Sequence, residues 1–100
     1  MNVKGWKSYQ VYRWMHDELH ISGARELIFA VIYKCTQEEG EYTGSANELA
    51  QLIGYQSITV SVNLKALTES EYLLKRYYTD KRYGVRRCAY RVNPEIVKGV

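Results

Sequence analysis

Between Ser45 and Thr68 apolar residues recur every three or four positions, first as Leu49, Leu52 and Ile53, then as Val60, Leu64 and Leu67. This spacing predicts two helices, each with one apolar face, and Gly54 between them marks the turn. The first has a strong start signal. Ser45 followed three residues later by Glu48 is a capping-box pattern, so a helix is expected over residues 46–53. The second opens at Gln56 or Ser57 and keeps its spacing through Leu67 and Thr68. Upstream, Leu27, Ile28, Val31, Ile32 and Cys35 form a broad apolar stripe. Its width predicts a buried helix, running from an N-cap at Ser22 to about Glu39, where Gly40 stops it. Glu41 to Gly44 reads as a short extended piece.

The period changes after Thr68. YLLKRYYT (72–79) and VRRCAYRV (85–92) are rich in aromatic and branched residues and flank the turn-forming DKRYG, which together predict a β-hairpin. Along its second strand Cys88, Tyr90 and Val92 share one face and Arg87, Ala89 and Arg91 the other, giving a core side and a charged side. Helix, short strand, helix, turn, helix and hairpin is the order of a winged helix-turn-helix, an α+β fold with a three-helix core, a short strand and a C-terminal two-stranded wing. The aromatic-rich N-terminal segment is expected to be extended at first and then helical from Trp14 to Leu19. The chain thus reads as one winged-helix domain: an arm over 1–20, core and wing over 21–92, and a tail over 93–100. Pro94 begins PEIVKGV with no obvious structural ending, so the tail is expected to lead to a further domain.

Size and composition narrow the classes. One hundred residues with 46% hydrophobic content suit a single core. No apolar run reaches membrane-spanning length and MNVKGWKSYQ lacks the apolar centre of a signal peptide, so a cytoplasmic location with no membrane partner is expected. Cys35 and Cys88 both fall at apolar positions and are expected to be buried thiols. His16 and His20 stand four apart without a third ligand, so neither a metal nor another cofactor is expected. There is no phosphate-cradling glycine loop and no nucleophile motif, which argues against an enzyme.

Charge adds a location. Between Lys75 and Arg91 stand seven basic residues, Lys75, Arg76, Lys81, Arg82, Arg86, Arg87 and Arg91, against Asp80 alone, while the rest of the chain holds seven basic and ten acidic residues. A net charge of +3 therefore conceals a basic hairpin on an acidic body. Such a concentration is the footprint of a nucleic-acid contact, ahead of the simpler role of charging a strand edge against aggregation.

Candidate DNA contacts follow from these elements. If Val60, Leu64 and Leu67 face inward, the second helix of the helix-turn-helix presents Gln56, Ser57, Thr59, Ser61, Asn63 and Lys65 outward. Gln and Asn can pair with adenine, and Ser and Thr can bond bases or phosphates. Ile58 and Val62 lie beside the inward stripe and are expected to finish the core or meet a partner protein, ahead of a thymine methyl. Arg76, Lys81, Arg82, Arg86 and Arg87 are candidate phosphate contacts, and Tyr83 at the tip can lie along the sugar backbone or in the minor groove. Tyr77, Tyr78 and Tyr83 can stack unpaired bases or serve as cross-strand packing. Affinity for double-stranded DNA is therefore expected to come mainly from the wing. The rival reading is an interaction or dimerisation module, with Trp6, Tyr9, Tyr12, Trp14 and the Ile58/Val62 ridge as its interface.

The succession WM (14–15), ISG (21–23), AVIYKCTQ (30–37), GEYTGS (40–45), LAQLIG (49–54) and TVSVNLKAL (59–67) resembles the winged-helix domains at the N-terminal end of bacterial plasmid and phage replication-initiation proteins, including replisome organisers and DnaD-like proteins. The resemblance covers residues 12–78, with YTGS and the helix-turn-helix its most specific part. It implies DNA binding in replication initiation or mobile-element maintenance, with self-association as a homodimer or contact with a replication protein. Two positions depart from the pattern. Gln56, Ser57 and Ile58 stand where members often carry basic residues, and Glu71 replaces the glycine that usually precedes the first wing strand, which predicts a strained turn.

Overall fold

Ile28, Phe29, Ala30, Val31 and Ile32 are all fully buried. Successive helical residues point about 100° apart, so burial of five in a row means a helix enclosed on every side. This helix is α2, Ala24–Glu39, and the rest of the domain is built around it. The computed structural model describes residues 9–97. Within them the order is α1 (Arg13–Asp17), α2, α3 (Ala46–Ile53), α4 (Ser57–Glu69), β1 (Leu73–Asp80) and β2 (Val85–Val92). α1, α3, α4 and β2 all pack on α2, and α3 packs on α4. The strands form one antiparallel ladder, in register from Leu73 opposite Val92 to Asp80 opposite Val85. This is the expected α+β winged-helix architecture, with the wing formed by β1 and β2.

Local chemistry fixes the joints. The short extended piece is a single bridge, in which Tyr42 and Tyr90 exchange both backbone hydrogen bonds, at 2.7 and 2.9 Å. The Tyr42 ring is fully buried and its hydroxyl donates to the Ser45 carbonyl at 2.6 Å. Gly44 lies against that ring: a Cβ there would stand 2.6 Å from the hydroxyl oxygen and 2.8 Å from Cζ. YTGS is thus a corner that needs a large buried ring, a residue without a side chain, and a cap. The Ser45 hydroxyl accepts from the Glu48 N–H at 3.0 Å, as the capping-box pattern predicts. At the other end of α3, Gly54 adopts φ 79° and ψ 29°, a left-handed conformation that turns the chain into α4.

Several boundaries differ from the sequence reading. Ser22 is not the cap of α2; Gly23 holds that position with φ 62°, and no side chain bonds the free N–H groups there. α1 spans Arg13–Asp17 rather than starting at Trp14, and β1 starts at Leu73 because the Tyr72 N–H still bonds back to the Leu67 carbonyl. Glu71 does carry the strain expected of it, with φ 63°. Its carbonyl accepts from Asn93 Nδ2 at 2.8 Å, which holds the start of the hairpin against its end. On the core side, the Thr36 hydroxyl donates to the Ile32 carbonyl at 2.8 Å and accepts from the Val92 N–H at 3.0 Å, tying β2 to α2.

The arm, an interface in the rival reading, packs on the core from Tyr9 onward among the described residues. Tyr12 and Trp14 both meet Tyr33 edge to face, at 5.7 and 5.3 Å between centroids, and Trp14 meets Phe29 at 6.0 Å. Met15, Leu19 and Ile21 are buried with them. Trp6 lies outside the described residues. Cys35 is fully buried, and burial pushes its thiol well up. Cys88 is only partly buried, on the wall of the groove that faces α4. Pro94–Ile96 forms one 3-10 turn, with Asn93 Oδ1 accepting from the Glu95 N–H. Among the described residues, no helix is long and apolar enough to cross a membrane.

Candidate nucleic-acid interface

The ladder register sorts the wing into two faces. Lys75, Tyr77 and Thr79 share one face with Tyr90, Cys88 and Arg86, while Leu74, Arg76, Tyr78 and Asp80 share the other with Arg91, Ala89, Arg87 and Val85. The division into a core side and a charged side therefore fails along most of the hairpin. Leu73 and Val92, at its base, are buried among the core residues, and beyond them both faces carry cations.

The two faces differ in what their cations touch. On the first, Tyr77 is 52% exposed, with the Arg86 guanidinium 4.0 Å from its ring centroid and Lys75 Nζ at 4.9 Å. The ring's negative face holds both cations in place. A hydrogen bond with Tyr77 is the main reason that the Lys75 ammonium is held above its ordinary pKa. On the second face the arginines meet acids. Arg76 makes two hydrogen bonds to the Glu41 carboxylate, one at 2.9 Å, and Arg87 Nε donates to Asp80 Oδ2 at 3.0 Å. The Glu41 carboxyl is held below its usual range, first by the hydrogen bond from Arg76. Ala89, opposite Arg76 in the register, is only 1% exposed although Arg87 and Arg91 on the same face are open. Arg76 and Arg87, expected as phosphate contacts, are thus each paired with an acid of the chain.

Asp80 also shapes the wing tip. Its Oδ1 accepts from the Arg82 N–H at 2.9 Å, and its carbonyl accepts from the Tyr83 and Gly84 N–H groups at 3.2 and 2.7 Å. The sole acid of the basic segment is therefore the residue that folds it. Lys81, Arg82 and Tyr83 stand exposed on this turn, with Tyr83 at 63% exposure.

On α4 the outward face differs from the one expected. Val60, Leu64 and Leu67 point inward, and the side opposite them holds Ile58 and Val62, at 68% and 57% exposure, followed by Lys65 and Glu69. Ile58 and Val62 therefore do not finish the core. Thr59 and Asn63 lie on the flank toward α2, where Asn63 Oδ1 accepts from Arg25 at 2.8 Å and its Nδ2 donates to the Thr59 carbonyl at 2.7 Å. The Ser57 hydroxyl donates to Asn47 Oδ1. Gln56 is the exposed N-cap residue, its side chain making no capping bond. Only Ser61 and Lys65, of the six residues named from sequence, line the side turned to the hairpin.

That side is a groove of about 570 Å³. Ser61, Lys65, Thr68 and Glu69 of α4 form one wall, and Lys75, Arg86, Arg87, Cys88 and Tyr90 of the hairpin form the other. Thr43, Gly44, Ser45 and Ala46 close one end, placing the N-terminus of α3 there. With Arg87 paired to Asp80, Lys65, Lys75 and Arg86 against Glu69 still make the groove electropositive, and the partial positive charge of a helix N-terminus adds to it. Sequence reasoning counted Lys75 in the basic segment without naming it as a contact. Its alternation with Tyr77 on the same face as Arg86 was the available signal.

No family model matches the sequence, and no curated protein matches it. Among solved structures the chain is similar to the crystal structure of the S. aureus MepR–DNA complex, with a TM-score of 0.59 and 17% identity. The match covers 83% of this chain and 54% of that one, so the chain spans about half the length of its structural neighbour. At this identity the likeness establishes the fold, and the fold is that of a winged helix.

Proposed function

We propose that this chain is a winged-helix domain that binds double-stranded DNA, with one sugar-phosphate strand running through the groove between α4 and the wing. The observation that carries the reading is the groove itself, with Lys65, Lys75 and Arg86 on its walls against Glu69, and Arg87 there paired with Asp80. Two neighbouring elements give it direction. α4 lies to one side, in position to enter a major groove, and the exposed tip with Lys81, Arg82 and Tyr83 lies to the other, in position to reach the adjacent minor groove. The structural neighbour was itself solved with DNA, which supports the reading. The resemblance of GEYTGS and TVSVNLKAL to replication-initiation domains supports a role for the binding in replication initiation or mobile-element maintenance.

A second reading has its own observation: Ile58, Val62 and Tyr55 leave apolar surface exposed, as an interaction module would. Fluorescence anisotropy of a labelled random-sequence duplex, measured at low and at physiological salt, separates the two. Saturable binding that weakens with salt supports the DNA reading. Absence of binding at low salt, with the protein folded, overturns it in favour of the interaction module.

A further inference from the structure

We infer that α4 reads DNA through methyl groups, with Ile58 and Val62 contacting the C5-methyl of thymine or of 5-methylcytosine in the major groove. The inference rests on the duplex-binding reading and adds a chemical class of base edge to it. Its first support is placement. Ile58 and Val62, four residues apart, occupy the centre of the outward face in the first two turns of α4, the end that a recognition helix directs at base edges.

The second support is the occupation of the polar candidates. Both ends of the Asn63 amide are engaged, by Arg25 and by the Thr59 carbonyl, and the Ser57 hydroxyl donates to Asn47. α4 contains no arginine, and Lys65, its only basic residue, lies a turn beyond Ser61 on the groove wall. Gln56 is left open at the start of the helix, but the bidentate pairs that read guanine or adenine are missing from the centre of this face. Among the four bases thymine alone offers an apolar group in the major groove, its C5-methyl, and 5-methylcytosine presents the same group.

The third support is the company the pair keeps. Ser61 and Lys65 link it to the electropositive groove, so the surface around it complements a polyanion. A protein interface of ordinary size buries about 800 Å² on each partner around an apolar centre depleted of charge, and two aliphatic side chains beside cations do not supply such a centre.

Replacing thymine by deoxyuridine removes the methyl and leaves the charge and the hydrogen-bonding edge of the base unchanged. The test compares an alternating A·T duplex with its deoxyuridine counterpart, and a G·C duplex with its 5-methylcytosine counterpart, in the wild type and in Ile58→Ala with Val62→Ala. The wild type is expected to bind the methylated member of each pair more tightly, by about fourfold for one contacted methyl and more than about tenfold for two. The double variant is expected to lose that preference while keeping the salt slope of the wild type. Equal binding of methylated and unmethylated duplexes by the wild type would overturn the inference and leave duplex binding standing. A preference that survives in the folded double variant would also overturn it, since DNA shape would then be the cause. Failure to bind any duplex at low salt would remove both the inference and the reading beneath it. A loss of self-association in sedimentation without any change in duplex preference would assign the pair to a protein interface and overturn the inference.

Discussion

Arg25 Nε reaches across from α2 to Asn63 Oδ1 on α4 at 2.8 Å, a contact between residues 38 positions apart that fixes an amide otherwise free to meet a base. The same amide donates through Nδ2 to the Thr59 carbonyl. Asn63→Ala is therefore expected to act on stability, by about 0.5–1.5 kcal/mol, the usual net worth of such hydrogen bonds. Duplex affinity and base preference should stay as in the wild type. Thermal melts and anisotropy titrations check the two halves, and a lost base preference with unchanged stability would show that the amide turns outward on binding.

The YTGS corner makes a sharper stability test. Gly44→Ala places a methyl 2.6 Å from the buried Tyr42 hydroxyl oxygen, well inside van der Waals contact, and neither the ring nor its bond to Ser45 can move without disturbing the core. The expected cost is about 1–3 kcal/mol, the range for forced overpacking. Chemical denaturation measures it. Adding Tyr42→Phe removes the atom nearest the new methyl, so the double variant should be less destabilised than the two single costs combined.

Glu71 is the opposite case, a position where the sequence departs from what its conformation favours. A left-handed residue with a side chain costs about 1–2 kcal/mol relative to the usual helical region, and Asn is among the residues that tolerate it best. Glu71→Asn is expected to raise stability by about 0.5–1 kcal/mol without altering DNA binding. A decrease in melting temperature would mean that the Glu71 side chain makes a stabilising contact of its own.

Most of the architecture was legible because it rests on local signals. Ser45 and Glu48 fixed the start of α3 to the residue, Gly54 marked the turn, and the change of period after Thr68 located the wing. The failures share a physical cause, which is that long-range pairing is invisible to periodicity. Glu41 stands 35 residues before Arg76, and nothing in the basic run reveals that this acid neutralises part of it. Arg25 and Asn63 are hidden in the same way. Ser22 misled because serine is a common cap, whereas Gly23 turns the chain into α2 with no side-chain cap at all. The apolar pair Ile58/Val62 was seen, but spacing alone could not decide how far the core extends around α4.

The Arg76–Glu41 pair has a pH signature. The folded pKa of Glu41 lies below its unfolded value of about 4.3, so the stabilisation is present above that value and is lost as the pH falls through the depressed one. Carboxyl chemical shifts followed by NMR should show Glu41 titrating below the ordinary glutamate range. Arg76→Gln is expected to move the titration upward, because the charged partner is gone and partial burial still opposes ionisation. A midpoint in the ordinary range in the wild type would mean that the pair does not persist in solution, and would return Arg76 to the pool of cations available to DNA.

The salt dependence of duplex binding, compared between the two faces of the wing, tests the central claim most directly. Each phosphate contact on a duplex contributes about 0.9 to the slope of log K against log salt, so Lys75→Ala with Arg86→Ala, on the groove face, is expected to lower that slope by about 1.8. Arg76→Ala with Glu41→Ala removes a cation and its carboxylate together from the opposite face and is expected to leave the slope as it is. Circular dichroism must show both variants folded, since lost structure would mimic lost binding. An unchanged slope in the folded Lys75/Arg86 variant, or an equal fall in both, would contradict a phosphate track between α4 and the wing.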